Sequence, residues 1–294
     1  MNSGKPDICS SRFCSALYSG ALIEPVIHPK PGAVTRLESH ADKSLYDFMV
    51  HAIALSTAAH TACNTAYNGS GDPIASGFKA YRSALQKLGI KTNIGLGTAL
   101  LLVPLAAALG DLGYPANPQR LAERASNLII ESSTDAVREY YDLLSMLSPS
   151  HLRQYHGPIP GVGKGYPRSF RQLLEIARWD IVHDDVRSGY PRSLQAKSLY
   201  AKALHEYGDI DEAGAHTLLY ILSEYGDTLI LAKYGIRAYL KALKEAKEAI
   251  MHTSKPSQAV ALLDSLWRPR NWNPGAALDI LATGISLFYY ESMD

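Results

Sequence analysis

An excess of charge of either sign is missing from this chain: 29 Lys and Arg stand against 28 Asp and Glu in 294 residues, a formal net charge of +1. A protein that grips nucleic acid through its overall field carries a clear basic excess, so that class is set aside and any cationic site has to be local. Cysteine is scarce as well. Cys9, Cys14 and Cys63 form no CxxC, and none lies at structural-zinc spacing from a histidine. Three thiols cannot all pair with one another, and the expectation is small, semi-buried residues in a reducing cytosol. Strand alternation bounded by hairpin turns is absent. So is an apolar stretch behind the polar Met1–Pro6 where a signal peptide would carry one.

Long hydrophobic runs are confined to one place. Thr92 to Gly110 holds no charge and approaches the roughly 20 residues of a membrane-spanning helix. Gly95, Gly97 and Pro104 interrupt it, and aromatic belts do not flank it. The reading is a helix buried at the centre of a globular domain.

What is present is core-forming sequence and helix punctuation. Hydrophobic residues make up 47% and charged residues 19%, ample for a packed interior. Asp72-Pro73 places a cap before a proline at a first helical position, and Gly89 closes that segment. Between them Ile74, Phe78, Tyr81, Leu85 and Leu88 recur at helical intervals. Asn117-Pro118 opens another helix, Ser169 with Gln172 suggests a capping box, and Asn273-Pro274 starts a last helix through Leu278, Leu281, Ile285 and Phe288. Asp42 to Ala62, Thr134 to Leu147, Ser193 to Tyr207 and Gly235 to Met251 read alike. The expected fold is all-α: a single compact domain over residues 1–294, of about ten to twelve helices in an orthogonal bundle-like arrangement. The Gly-, Pro-, His- and Tyr-rich Ser148 to Tyr166 segment reads as a loop over a site.

Several constellations could carry chemistry. In His28-Pro29-Lys30-Pro31-Gly32-Ala33-Val34-Thr35-Arg36, prolines stiffen the backbone and Gly32 permits close approach, so Lys30 and Arg36 could project toward phosphate. The same residues also read as an ordinary surface loop. Asp180 and Asp184 lie four apart on one helical face and could hold a divalent cation, or could form a solvated acidic face balanced by Arg178 and Arg187. Gly161-Val162-Gly163-Lys164-Gly165 lacks the full phosphate-loop pattern but could carry Lys164 to a phosphate. Asn273, Pro274 and Gly275 could present helix amides to an anion or simply cap the last helix.

Taken in order, these segments resemble the triphosphoribosyl-dephospho-CoA synthase family. The matching residues are Pro29, Lys30, Pro31, Gly32, Val34, Arg36, His40, Asp42 and Phe48. Thr92-Asn93-Ile94-Gly95 follows, leading into Leu100 to Ala106, then Asp227-Thr228 with Lys233 and Gly235, and finally Asn273-Pro274-Gly275 with Asp279. The resemblance implies a transferase that joins the triphosphoribosyl group of ATP to the ribose 2′-hydroxyl of dephospho-CoA or a related acceptor and expels adenine. Breaking a glycosidic bond through a cation-like ribose calls for carboxylates, and a base must take the hydroxyl proton. Asp42, Asp227 and Asp279 are the expected catalytic residues. Lys30, Gly32, Arg36, His40, Asn93, Lys164, Asn273 and Gly275 are the expected substrate-binding set, with Mg²⁺ on Asp180 and Asp184. Expected partners are ATP and a CoA-like small molecule in the cytoplasm, with no nucleic acid and no membrane, and homodimerisation left open. Where many family members have Asn-Thr-His-Lys-Gly, this chain has Lys91-Thr92-Asn93-Ile94-Gly95, so an imidazole and an ammonium are replaced. The competing readings are a metal-dependent nucleotide phosphohydrolase and a non-catalytic helical nucleotide-binding protein.

Overall fold

The computed structural model describes residues 8–40, 42–90, 92–147, 165–252 and 255–293. In chain order its α-helices are α1 (Arg12–Ala16), α2 (Ser19–Ile23), α3 (Leu45–Asn68), α4 (Pro73–Lys87), α5 (Leu96–Leu112), α6 (Pro118–Glu131) and α7 (Thr134–Leu147). They continue as α8 (Phe170–Ile176), α9 (Ile181–Arg187), α10 (Pro191–Tyr207), α11 (Ile210–Tyr225), α12 (Thr228–His252), α13 (Pro256–Trp267) and α14 (Gly275–Glu291). Among the described residues there is no strand, only an isolated bridge between His40 and Lys43. Among the described residues fourteen helices stand slightly above the expected ten to twelve, and α1 and α2 are too short to write a periodic signature.

The punctuation works where it is local. Asp72 accepts hydrogen bonds from the Ile74 and Ala75 amides at 2.9 and 3.1 Å, a cap worth about 1 kcal/mol. The stripe Ile74, Phe78, Tyr81 and Leu85 is buried. Asn117 caps α6 through the Arg120 amide at 2.9 Å. Ser169 accepts from the Gln172 amide at 3.2 Å, but Gln172 turns its carbonyl to the Arg168 amide, so the box is not reciprocal. A reciprocal box instead opens α3, between Ser44 and Asp47. The helix expected from Gly235 begins earlier, at Thr228, and Gly235 with φ 80° and ψ 177° breaks it.

The apolar run becomes α5, whose residues from Thr98 to Gly110 are all buried. It packs against α3, α4, α6, α9 and α14, and α14 packs in turn against α2, α10, α11 and α12. Enclosure by other helices explains why α5 has no polar face. No helix among the described residues is long and apolar enough to cross a membrane.

The cysteine expectation needs correction. Cys9 and Cys63 are joined by a disulfide that ties the N-terminal segment to α3, while Cys14 is buried outside that bond. A separation of 54 residues hid the pairing, because proximity across such a distance is set by tertiary packing rather than by spacing.

Candidate active site

A cavity of about 470 Å³ lies where the starts of α5, α12 and α14 meet the loop before α3, the end of α7 and the turn between α8 and α9. Helix N-termini carry partial positive charge, and carboxylates of the chain itself already take amides at all three: Asp279 that of Thr98, and Asp227 those of Ile230 and Ala277.

Two carboxylates on the wall differ in state. Asp279, on the second turn of α14, accepts the Thr98 amide at 2.9 Å and the Thr98 hydroxyl at 2.5 Å, both on Oδ1. Oδ2 faces Gly97, where a Cβ would sit only 2.1 Å away; glycine there lets α5 approach the carboxylate. Burial pushes the Asp279 carboxyl up to about 7 against the pull of those hydrogen bonds. Asp180 caps α9. Its Oδ1 accepts from the Val182 and His183 amides at 3.1 and 3.0 Å and from His183 Nδ1 at 2.7 Å, and its Oδ2 accepts from the Thr228 hydroxyl at 2.6 Å. Burial alone would raise its pKa, but His183 and Thr228 together hold it below the usual carboxylate value.

The other expected carboxylates are placed differently. Asp227 is buried, with Oδ1 on the Ile230 amide at 2.8 Å and Oδ2 on the Ala277 amide at 2.9 Å. It fastens the starts of α12 and α14 together and does not line the cavity, so the expected catalytic role gives way to a capping one. Burial pushes it up to about 7 even against those amide bonds. Asp42 is exposed at the rim. Asp184 faces away: it pairs with Arg187 at 2.7 Å and Arg192 at 2.9 Å, so Asp180 and Asp184 do not form the expected cation-holding pair. Among the described residues no group of three or more His, Cys, Asp or Glu could hold a metal.

The expected phosphate ligands also need correction. Lys30 is 1% exposed; its ammonium is spent on the Glu24 carboxylate and, at 2.8 Å, on the Glu24 carbonyl. Burial pushes the pKa of Lys30 down and that of Glu24 up, each resisted by the other's charge. Arg36 grips Asp211 with two bonds of 2.6 Å and the Val26 carbonyl at 3.0 Å, away from the cavity. Gly32, at φ 62°, lies where any Cβ would meet the Trp272 carbonyl, and its amide donates to Asp264 at 2.7 Å. The rigid loop thus docks onto the fold through Gly32 and Arg36, while Lys30, with its partner Glu24, still lines the cavity. Lys164, like most of the Ser148–Tyr166 loop, and Lys91 lie outside the described residues.

Three expected residues do stand on the wall with polar atoms that no side chain or backbone group among the described residues is seen to satisfy: His40 Nε2, Asn93 Oδ1 and Asn273 Oδ1. Buried polar atoms normally have partners, so these mark positions where a polar ligand would complete the site. Asn273 does not cap α14; Gly275 follows it on the wall.

Lys43, without a signature in the sequence, reaches the Asn93 carbonyl at 3.4 Å, and Lys233 stands at the rim, its pKa pulled down by partial burial and the nearby Lys43. Equally unforeseen are Thr98, and His51, bonded through Nδ1 to the Tyr81 hydroxyl at 2.5 Å and pushed down to about 4 by burial. None of these residues carries a local signature; only the meeting of separate helices assembles them.

Residues 11–294 match the family described as ATP:dephospho-CoA triphosphoribosyl transferase (CitG). A Malonomonas rubra protein, provisionally named 2-(5''-triphosphoribosyl)-3'-dephosphocoenzyme-A synthase, is 23% identical over 301 residues that cover 96% of this chain and 88% of its own. A crystal structure from Archaeoglobus fulgidus, provisionally described as a triphosphoribosyl-dephospho-CoA synthase, shares the fold with a TM-score of 0.60 at 16% identity, over 82% of this chain and 99% of that one.

Proposed function

Because the chain belongs to the ATP:dephospho-CoA triphosphoribosyl transferase family, we propose that the cavity beside Asp279 and Asp180 is where the triphosphoribosyl group of ATP passes to the 2′-hydroxyl of dephospho-CoA. The observation that carries this reading is the pair of wall carboxylates held in opposite states. Environments that push two titratable groups apart divide acid–base roles between them. The ionised Asp180 faces the cation-like ribose as the bond from C1′ to adenine breaks. Asp279, titrating near neutrality, accepts the proton of the attacking hydroxyl through Oδ2. The bonding electrons leave with adenine, which takes up a proton, and the new bond joins C1′ to the acceptor oxygen. Lys43 and Lys233 at the mouth take the triphosphate, roles first expected of Lys30 and Arg36.

Mg²⁺ belongs to the proposal as well. It keeps several waters and leans on substrate phosphates, so it does not need an all-protein cage, and the unsatisfied oxygens Asn93 Oδ1 and Asn273 Oδ1 fit it. When bound it would offset the charge of the triphosphate. A cytoplasmic location is part of the proposal only because the reaction draws on ATP. The test is adenine release from ATP: it should require dephospho-CoA and stop on chelation of divalent cations. Phosphate release without any acceptor would favour a phosphohydrolase instead.

A further inference from the structure

The cavity wall is chemically uneven. Lys43, Asn93, Lys233 and Asn273 come from the loop before α3, the segment before α5 and the starts of α12 and α14. Another stretch, from α7 and the region around the α8–α9 turn, presents Tyr140, Tyr141, Leu144, Leu147, Trp179 and Val182. The one imidazole of this stretch on the wall, His183, is held by Asp180 at 2.7 Å, and no cation lies among those six. Five of them are 3 to 8% exposed, whereas Trp179 is 39% exposed. The other two tryptophans are interior, Trp267 at 0% and Trp272 at 7%. An indole left partly open on a cavity wall, beside a carboxylate that is its chain neighbour, is not explained by packing.

We propose that Trp179 and this apolar stretch form a stacking site for an adenine ring, an inference that rests on the transferase reading above. Adenine is flat and uncharged at neutral pH, so it gains from a π-face and apolar walls and needs few polar partners. A phosphate would need cations, and no Lys or Arg of this stretch lines the cavity; a flexible pantetheine arm would gain less than a flat ring from the indole face. A base stacked on Trp179 leaves its ribose near Asp180, with the phosphates free to run toward Lys43 and Lys233. Both substrates carry adenine, as the leaving base of ATP and as the base of dephospho-CoA, and the wall's chemistry suits either.

Two measurements on the full chain test this. Titration with adenosine should quench the exposed indole, and the quench should vanish in Trp179→Phe because the remaining tryptophans are interior. Steady-state kinetics of Trp179→Ala should raise the KM of one adenine-bearing substrate by about ten-fold or more, the scale of one lost base–aromatic stack. Trp179→Phe, which keeps a smaller ring, should raise it less. A rise for ATP assigns the site to the leaving base, and a rise for dephospho-CoA assigns it to the acceptor. KM values that both stay within roughly two-fold, or quenching by pantetheine but not by adenosine, would overturn the proposal. The fluorescence titration needs no turnover, so it still decides the stacking site if the protein releases no adenine and the transferase reading fails.

Discussion

At Asp279, burial raises the carboxyl to about 7 while Thr98 occupies Oδ1 and leaves Oδ2 to the cavity. Asp180, its neighbour on the wall, is held low by His183 and Thr228. These states imply a pH dependence. If Asp279 accepts the hydroxyl proton, turnover should rise with pH, half-maximal near 7, because the protonated carboxyl cannot take a second proton. A pH–rate profile checks this, and Asp279→Glu should move its midpoint. The stability trend has the opposite sign. A carboxyl whose folded pKa exceeds its unfolded value of 3.8 favours the native state fully below that value and loses the contribution as pH rises toward about 7. Melting temperature should therefore fall less between pH 4 and 7 in Asp279→Asn than in the parent protein. Asp279 was legible from the resemblance. Its difference from Asp227 was not, because only long-range contacts decide whether a carboxylate meets a cavity or an amide.

Helix starts were readable wherever cap and helix are neighbours in the chain, as at Asp72-Pro73 and Asn117-Pro118. The last helix shows the limit. Asn273-Pro274 looks like its cap, yet the α14 amide of Ala277 is satisfied by Asp227, fifty residues earlier, and Asn273 Oδ1 is left toward the cavity. At this scale the close approach of α5 to α14 gives a prediction. A methyl group at Gly97 would collide with Asp279 Oδ2, so Gly97→Ala must displace the carboxylate or the helix start. Turnover should drop roughly 100-fold, the cost of about an ångström of misplacement, while circular dichroism still reports a helical protein. Near-parental turnover would show that Oδ2 has no fixed catalytic position.

For the whole molecule, the all-helical class and the central α5 were legible because periodicity, caps and an uncharged run are local properties. The chemistry of the N-terminal loop was not. Lys30 and Arg36 look like free cations in sequence, and their partners Glu24 and Asp211 become visible only when the chain closes on itself. Cys9 and Cys63 were hidden for the same reason. The closed chain leaves one cavity wall where a near-neutral carboxylate, an ionised carboxylate and unsatisfied amide oxygens meet, and that assembly is the central claim. The most direct test is product-resolved turnover of ATP and dephospho-CoA by the parent protein and by Asp279→Asn, with melting temperature measured alongside. The prediction is equimolar adenine and triphosphoribosyl product from the parent, and at least a roughly 100-fold loss in Asp279→Asn with no fall in melting temperature at pH 8, since the neutral amide removes a buried charge. Parental turnover by Asp279→Asn would contradict it.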